Sequence, residues 1–185
     1  IRIGGRNVNS IPTEELHTKF GVAFQHDVLF ADTIRENVAF GRDIPEEALL
    51  QAADDAQAAE FIDGLDDGLA HLLTIKGSNL SGGQKQRLLI ARALAGNPEI
   101  LILDDSSSAL DYKTDARLRS AIRSRLQGTT SIIIAQRISS ILHADHILVL
   151  EDGRAIGYGT HEELLDTCPV YREISESQMG GGTVA

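Results

Sequence analysis

The sequence contains a single cysteine, Cys168, and no tryptophan. One cysteine excludes an internal disulfide framework and agrees with a reducing compartment. Basic residues are also few, because 17 Lys and Arg stand against 27 Asp and Glu. They do not gather into a basic stripe, so nucleic acid is excluded as the expected partner. No apolar run approaches the roughly 20 residues of a spanning helix, and no signal peptide is evident, so we expect any membrane-spanning part to lie elsewhere.

Apolar runs and helical periodicity alternate along the chain. Isoleucine-rich runs at 100–103, 131–135 and 146–150 predict strands that are buried on both faces. Alanine and leucine recur at helix spacing from Pro45 to Ala59, which predicts one helix there. The order of these elements predicts an α/β fold with a parallel sheet.

The sequence also predicts where one helix ends, where one turn lies and where the chain becomes flexible. A further helix is predicted over 82–95, which stops before Gly96-Asn97-Pro98. Asp152-Gly153 predicts a hairpin turn between two strands. The glycines at 180–182 predict a flexible C-terminal tail.

The stretch Leu80-Ser81-Gly82-Gly83-Gln84 carries the most specific chemistry in the sequence. Ser81 and Gln84 have the spacing of a capping box, which predicts a firmly started helix. Gly82 and Gly83 leave the backbone N–H groups of the first turn uncovered. Such a helix N-terminus attracts phosphate oxygens, because it carries partial positive charge and unpaired donors.

Residues 80–94, LSGGQKQRLLIARAL, closely resemble the signature motif of ATP-binding-cassette (ABC) ATPases, and other motifs of that family follow in order. The run 100–105 resembles the Walker B strand, and 108–111, Ser-Ala-Leu-Asp, resembles the D-loop that touches a partner domain. The stretches VAFQHDVLF and FADTIRENVAFG resemble the Q-loop region of the exporter subclass. The resemblance implies a partial P-loop NTPase (RecA-like) parallel sheet with an ABC-type helical subdomain.

The resemblance implies roles for named residues. Asp104 and Gln25 would lie at a magnesium ion, and Gln25 would also sense the γ-phosphate of ATP. Asp105 and Gln136 fall at the positions of the catalytic base and the switch histidine. The remaining implied contacts to ATP come from the signature and the D-loop: Ser81, Gly82, Gly83, Gln84 and Asp111.

Three departures from the family pattern accompany these matches. No G-x-x-x-x-G-K-[ST] sequence occurs, so we expect the 185 residues alone to bind ATP poorly. Asp105 stands where active members carry glutamate, and one methylene less shortens the reach of a base by roughly an ångström. Gln136 replaces a histidine with an amide that cannot carry positive charge.

In the family each ATP lies between the Walker face of one domain and the signature of another. Asp105 and Gln136 would therefore weaken the site on this chain's own Walker face, while its signature serves the opposite site. The asymmetry resembles the degenerate half of heterodimeric ABC exporters. It implies a second nucleotide-binding domain and an exporter's transmembrane domain as partners, ATP and Mg²⁺ as cofactors, and a place on the cytoplasmic face of the cell membrane.

The resemblance also divides the chain. Residues 1–27 would end the N-terminal β-subdomain and Q-loop, 28–96 would form the helical subdomain, and 97–178 would form the RecA-like core before a tail at 179–185. Two alternatives stay open: a truncated, non-catalytic ABC remnant, and a non-transport ABC ATPase of repair or translation. The loop at 68–76 lacks the family's usual acidic pattern, which leaves its contact with a transmembrane domain open.

Overall fold

A computed structural model describes residues 1–106 and 108–179. The chain divides into two units, residues 1–134 and residues 135–185. The prediction of a flexible tail at 180–182 lies outside the described residues.

The first unit combines short strands and helices. Its strands are β1 (Arg2–Ile3), β2 (Arg6–Asn7), β3 (Phe20–Ala23), β4 (Ile100–Asp104) and β5 (Thr130–Ile134). Its α-helices are α1 (Thr13–Thr18), α2 (Ile34–Ala39), α3 (Glu46–Asp55), α4 (Ala59–Asp63), α5 (Gly82–Leu94) and α6 (Tyr112–Arg125). Three 3-10 turns cover Val8–Ser10, Gly68–Ala70 and Ile75–Gly77.

A three-stranded parallel sheet in the order β3-β4-β5 organises this unit. Ala23 pairs with Leu103, and Asp104 pairs with Ile134. The carboxyl ends of the three strands therefore meet at one edge of the sheet, which is where open α/β folds bind ligands. The α/β prediction with a parallel sheet is confirmed, and each of the three predicted strands begins and ends within one residue of an observed strand.

Helix α5 lies at the centre of the first unit. Its residues from Leu88 to Leu94 are all buried, and they contact β3, α2 and α3. The helix begins at Gly82 as predicted, and its capping box is present. Burial of a leucine or isoleucine side chain, such as Leu88 or Ile90, stabilises the fold by roughly 1.5–3 kcal/mol. The main members of this core are Ile34, Val38, Leu49, Ile62, Leu88, Ile90, Leu101, Leu103 and Leu118.

The predicted helix from Pro45 to Ala59 is wrong in its length. Helix α3 ends at Asp55, and α4 starts only at Ala59. Between them Gln57 has a left-handed φ of 60°, which no continuous α-helix accommodates. Ala56 and Ala58, on either side of Gln57, are buried in the same core as α3.

The second unit is a hairpin with two helices. Its strands are β6 (Ile147–Glu151) and β7 (Arg154–Gly159), and its helices are α7 (His161–Thr167) and α8 (Pro169–Met179), with a 3-10 turn at Ile138–Ser140. Asp152 and Gly153 both have positive φ, 47° and 74°. This confirms the predicted hairpin turn, because two-residue hairpin loops of this twist need φ > 0 at both positions. A small core holds Ile138, Ile147, Leu164, Cys168 and Tyr171.

The three isoleucine-rich strands were predicted to be buried on both faces, and this prediction is wrong for two of them, β5 and β6. Ile132 and Ile134 of β5 are each 48% exposed, and Leu148 and Leu150 of β6 are also exposed. An apolar run alone does not reveal which of its faces is covered. No helix in the described part of the chain is both long and apolar enough to cross a membrane.

Candidate nucleotide site

Two of the predicted site residues meet at the carboxyl edge of the parallel sheet. Gln25 follows β3 by two residues, and Asp105 follows β4 directly. The Gln25 side-chain amide donates a hydrogen bond to Asp105 Oδ2 at 3.2 Å. Asp104, the last residue of β4, is half-buried at the same edge. The topology therefore places one amide and two carboxylates at the edge of the sheet where a phosphate or its metal ion would bind.

The backbone of Asp105 is unusual. Its φ of 44° lies in the left-handed region, which Asp tolerates better than most residues. The Asp105 N–H donates to the carbonyl of Ile134 at 3.0 Å, and its own carbonyl accepts from Ser108 Oγ at 3.1 Å. These contacts fix the direction in which the Asp105 carboxylate leaves the end of β4.

The residues at this edge fit a magnesium ion that is shared with phosphate. Asp104 and Gln25 carry side-chain oxygens of the kind that Mg²⁺ prefers, and they would be the residues to hold it. The described residues include no group of three or more His, Cys, Asp or Glu arranged to hold a metal. A site with few protein ligands is typical of Mg²⁺, which usually keeps several waters and binds substrate phosphates. The ion would supply neutralisation of phosphate charge there.

The N-terminus of α5 holds the second group of predicted site residues. The Ser81 hydroxyl accepts from the Gln84 N–H at 3.2 Å, and the Gln84 side chain accepts from the Ser81 N–H at 2.9 Å. Two of the donors that a helix start leaves open are thereby satisfied within the box. The N–H groups of Gly82 and Gly83 carry no side chain over them, so this turn can approach an anion closely.

The predicted D-loop lies directly against these glycines. A Cβ added to Gly83 would lie 3.3 Å from the Ala109 carbonyl oxygen, and one added to Gly82 would lie 4.0 Å from the Ala109 Cβ. Larger side chains at Gly83 would therefore press on the backbone of the D-loop. The first turn of α5 and the predicted D-loop are therefore neighbours within this chain.

Asp111 has a clear structural role in addition to its predicted one. It is the N-cap of α6, where its carboxylate accepts from the Thr114 N–H at 2.9 Å and from Thr114 Oγ1 at 2.8 Å. These hydrogen bonds, the backbone one first, lower the pKa of the Asp111 carboxyl. The carboxylate is thus charged and held at the start of α6.

Gln136 belongs to the second unit, one residue after its start. Its side chain is exposed, and its carbonyl accepts a hydrogen bond from Gln178 Nε2 at 2.8 Å. Helix α8 therefore fixes the backbone at Gln136.

Among the predicted site residues, the structure brings together Gln25 with Asp105, Ser81 with Gln84, and Gly83 with the predicted D-loop.

A groove beside the sheet was not predicted from the sequence. It has a volume of ≈ 770 Å³ and opens next to β3 and α5. Leu16, Phe20, Phe24 and Phe40 supply its apolar lining, and Asp27, Arg42 and Arg92 supply charge.

Arg92 lines this groove and also contacts the segment after Gln25, and it was not predicted as a site residue from the sequence. It is a buried residue on α5, and it hydrogen-bonds the segment that follows Gln25. The signal for it was present in the sequence, because Arg92 interrupts an otherwise apolar run, Leu88-Leu89-Ile90-Ala91-Arg92-Ala93-Leu94. A charged residue at core positions of a helix indicates a buried and paired group.

Comparison with known proteins agrees with this geometry. A family model described as ABC transporter matches residues 1–108. The chain is 46% identical over 181 residues to the ABC transporter ATP-binding protein YfiB of Bacillus subtilis, and 39% identical over 183 residues to an ATP-dependent lipid A-core flippase of Idiomarina loihiensis. These alignments cover 97% and 98% of the chain, and 31% of each relative.

A solved structure of a bacterial Atm1-family ABC exporter with ATP bound has the same fold. Its TM-score is 0.89 at 38% identity, and the alignment covers 96% of this chain and 32% of that one. The chain thus spans about a third of the length of the relatives it matches. The family model covers more than half of the sequence, and the relatives align over nearly all of it. This chain belongs to the ABC transporter family.

Proposed function

We propose that this chain is the ATP-binding part of an exporter, in which it couples ATP binding and hydrolysis to transport through a transmembrane domain. The observation that carries the proposal is the N-terminus of α5, where a capping box and two bare glycines form an anion-accepting turn. Relatives described as an exporter and a lipid A-core flippase support the transport class.

The proposal assigns the α5 turn to a site shared with a second nucleotide-binding domain. The backbone N–H groups of Gly82 and Gly83 would approach the γ-phosphate held by that partner. Helix N-termini favour anions by about 0.3–1 kcal/mol at exposed positions and more where water is excluded. The D-loop, packed against Gly83, would complete the contact surface.

The Walker face of this chain would be the weaker of two sites. Asp105 is one methylene shorter than the glutamate of active members, and it is already engaged by the Gln25 amide at 3.2 Å. Gln136 cannot stabilise developing negative charge as a protonated histidine would. We infer that Gln25 and Asp104 contact the Mg²⁺ of Mg-ATP on this face, and that hydrolysis there is slow. The partner would then be a different, competent domain, which makes a heterodimer.

The groove offers a surface for the transmembrane domain. Its lining combines half-exposed aromatic rings, such as Phe24 and Phe40, with charges from Asp27 and Arg42. Exposed apolar patches with polar rims mark interaction sites. A membrane partner docked here would lie next to the segment that carries Gln25, which supports coupling between transport and the nucleotide. The whole assembly would then work at the cytoplasmic face of the membrane.

The test is ATP turnover of the transporter reconstituted with its partner, compared between Gly83→Asp, Gly83→Ala and wild type. The Ala variant adds only a Cβ, whose 3.3 Å contact with Ala109 O requires a small shift. The Asp variant adds a carboxylate at the phosphate position as well. We expect turnover to collapse with Asp and to stay within about tenfold with Ala, which is one 1.4 kcal/mol step. Unchanged ATP turnover in Gly83→Asp would contradict the assignment of this turn to the site that hydrolyses ATP.

The second arm restores the family residues on the other face with Asp105→Glu and Gln136→His. Hydrolysis at this site should appear if the partner's signature is competent. The φ of 44° at Asp105 opposes the change, because residues other than Gly, Asn and Asp lose about 1–2 kcal/mol in the left-handed region. Asp105→Asn with Gln136→His is the matched control, since Asn tolerates this backbone and cannot act as a base. Equal turnover in both doubles would contradict the role given to position 105.

A further inference from the structure

Arg92 places a charged group in the core of the first unit. It is 5% exposed. Its Nε donates to the Asn37 carbonyl at 2.8 Å, its Nη1 donates to the Val28 carbonyl at 3.1 Å, and its Nη2 donates to Asn37 Oδ1 at 3.2 Å. A single side chain of α5 thereby holds the segment after Gln25 and the middle of α2.

Two aromatic rings flank the guanidinium. Its carbon lies 4.6 Å from the centroid of Phe40 and 5.5 Å from that of Phe30, distances at which a cation is attracted to a ring. Both rings are about half exposed, at 52% and 50%. Phe40 and Arg92 both line the groove, so a molecule in the groove would touch the same pair of groups.

Asn37 relays these contacts to the backbone of the segment. Its Oδ1 accepts from the Phe30 N–H at 2.8 Å, and its Nδ2 donates to the Phe30 carbonyl at 3.0 Å. Arg92 donates to the same Oδ1. We call Arg92, Asn37, Val28 and Asp27 the Arg92 clamp.

Stability alone does not call for an arginine at this place. Burial lowers the pKa of the Arg92 guanidinium, and the opposing carboxylate, Asp27, lies at the long distance of 3.5 Å. Replacing a buried ion pair with well-packed apolar residues is often neutral or stabilising. What an apolar residue cannot do is bind several carbonyls at once, which the fork of an arginine does.

We propose that Arg92 is a positioning residue. It holds the segment after Gln25 and the Phe40 side of the groove against α5, the helix that begins with the signature glycines. Asp27 and Val28 follow Gln25 by two and three residues, and Gly83 lies on the same helix as Arg92. A partner bound in the groove would contact Arg92. Through this side chain it would act on the segment after Gln25 and on the helix whose first turn carries Gly83. The consequence for ATP turnover rests on the proposed function, whereas the positioning itself does not.

The first experiment measures amide hydrogen exchange on the 185-residue chain with Arg92→Met. Methionine keeps an unbranched apolar stem in the core, but it is shorter than arginine and donates no hydrogen bond. We expect exchange of the Phe30 amide and its neighbours over 27–33 to rise by about tenfold or more, because hydrogen bonds to a charged donor are lost. The first turn of α5, residues 81–86, should exchange faster as well.

Arg87→Met is the matched control on the same helix. Arg87 is half-buried and lies over Phe61, and it donates to the carbonyls of Gln57 and Gly83 rather than to the segment after Gln25. Exchange over 27–33 should stay within about twofold of wild type in this variant. A uniform rise across the strands and helices in Arg92→Met would mean a purely structural role and would overturn the proposal.

Arg92→Lys keeps the charge and serves if the Met variant does not fold. A lysine can still donate to one of the carbonyls but cannot reach all of them with a planar fork. Exchange over 27–33 should then fall between the wild type and the loss expected for methionine. Exchange equal to wild type in Arg92→Lys, although at most one of the three acceptors keeps its hydrogen bond, would also overturn the proposal.

The second experiment measures steady-state ATP turnover of the reconstituted transporter. We expect Arg92→Met to lower kcat by about tenfold while KM for ATP stays within about twofold, because the clamp orients groups rather than binding the nucleotide. Arg92→Lys should restore part of kcat. Absence of turnover in the wild type would count against the proposed function alone. Normal wild-type turnover with an unchanged kcat in Arg92→Met would count against the clamp alone.

Discussion

Gly21→Ala should test how tightly α5 is packed onto β3. Gly21 is buried in β3, and a Cβ built on it would lie 2.1 Å from the Ala93 carbonyl oxygen, 2.8 Å from Pro98 Cγ and 3.0 Å from the Ala93 carbonyl carbon. Carbon and carbonyl oxygen in close contact normally stand about 3.3–3.6 Å apart. The obstacle is main chain of α5, so no side-chain rotation relieves the overlap, and the helix and the strand must separate by more than an ångström, roughly.

The expected loss follows from this overlap. Overpacking a core by one methyl group destabilises by about 1–3 kcal/mol, and occasionally by more. Because backbone must move here, we expect about 3 kcal/mol, a large part of the roughly 5–15 kcal/mol that holds a domain folded. With a urea slope of about 2 kcal/mol/M, the unfolding midpoint should fall by about 1.5 M.

The assay is urea unfolding followed by far-UV circular dichroism, with Gly64→Ala as the control. Gly64 is exposed at the end of α4, and its added Cβ would meet nothing closer than 3.5 Å. Its φ of −78° suits any residue, so the control should be stabilised by about 0.4–1 kcal/mol. A midpoint for Gly21→Ala equal to that of the wild type would refute the packing argument.

Three further predictions concern other parts of the chain. Ser106 is 1% exposed, and its Oγ has no hydrogen-bond partner among the described residues, so Ser106→Ala should leave stability unchanged or raise it by about 1 kcal/mol, as thermal unfolding can show. Burial raises the pKa of Tyr171, so its stabilisation is complete below the unfolded value of about 10 and is lost as pH rises through the folded pKa. Unfolding midpoints compared between about pH 8 and pH 11 should fall less in Tyr171→Phe than in wild type. The 185-residue chain should self-associate through the exposed isoleucines of β5, and Ile134→Lys should raise the monomer fraction measured by light scattering; a strictly monomeric wild type would contradict this.

The parts of the fold that were predictable are those with local causes. The capping box of α5 depends on two residues three positions apart, and the hairpin turn depends on Asp152 and Gly153. Parallel pairing of β4 followed from apolar runs separated by helices. In each case the physical cause lies within a few residues, so the sequence displays it directly.

The parts that were not predictable depend on neighbours distant in sequence. The exposure of Ile132 and Ile134 is decided by what covers β5, and no local pattern reports that. The end of α3 depends on a left-handed Gln57, whose periodic alanine neighbours hide the break. In the candidate site, the bond from Gln25 to Asp105 joins residues 80 positions apart. Their assignment therefore came from resemblance to a family and not from the residues themselves.

Helix α5 explains why these features of the site are linked. Its first turn carries Gly83, and in its last turn Ala93 meets β3 at Gly21 while the adjacent Arg92 holds the segment after Gln25. The strand β3 lies against the backbone of the helix at Gly21, and the Arg92 clamp holds the residues after Gln25, so Gln25 lies between two contacts with α5. Protein interiors are close-packed and change by discrete rearrangement rather than by smooth deformation. If a partner occupies the groove as we propose, we expect the segment after Gln25 and the first turn of α5 to move together, because Arg92 contacts the former and lies on the same helix as the latter.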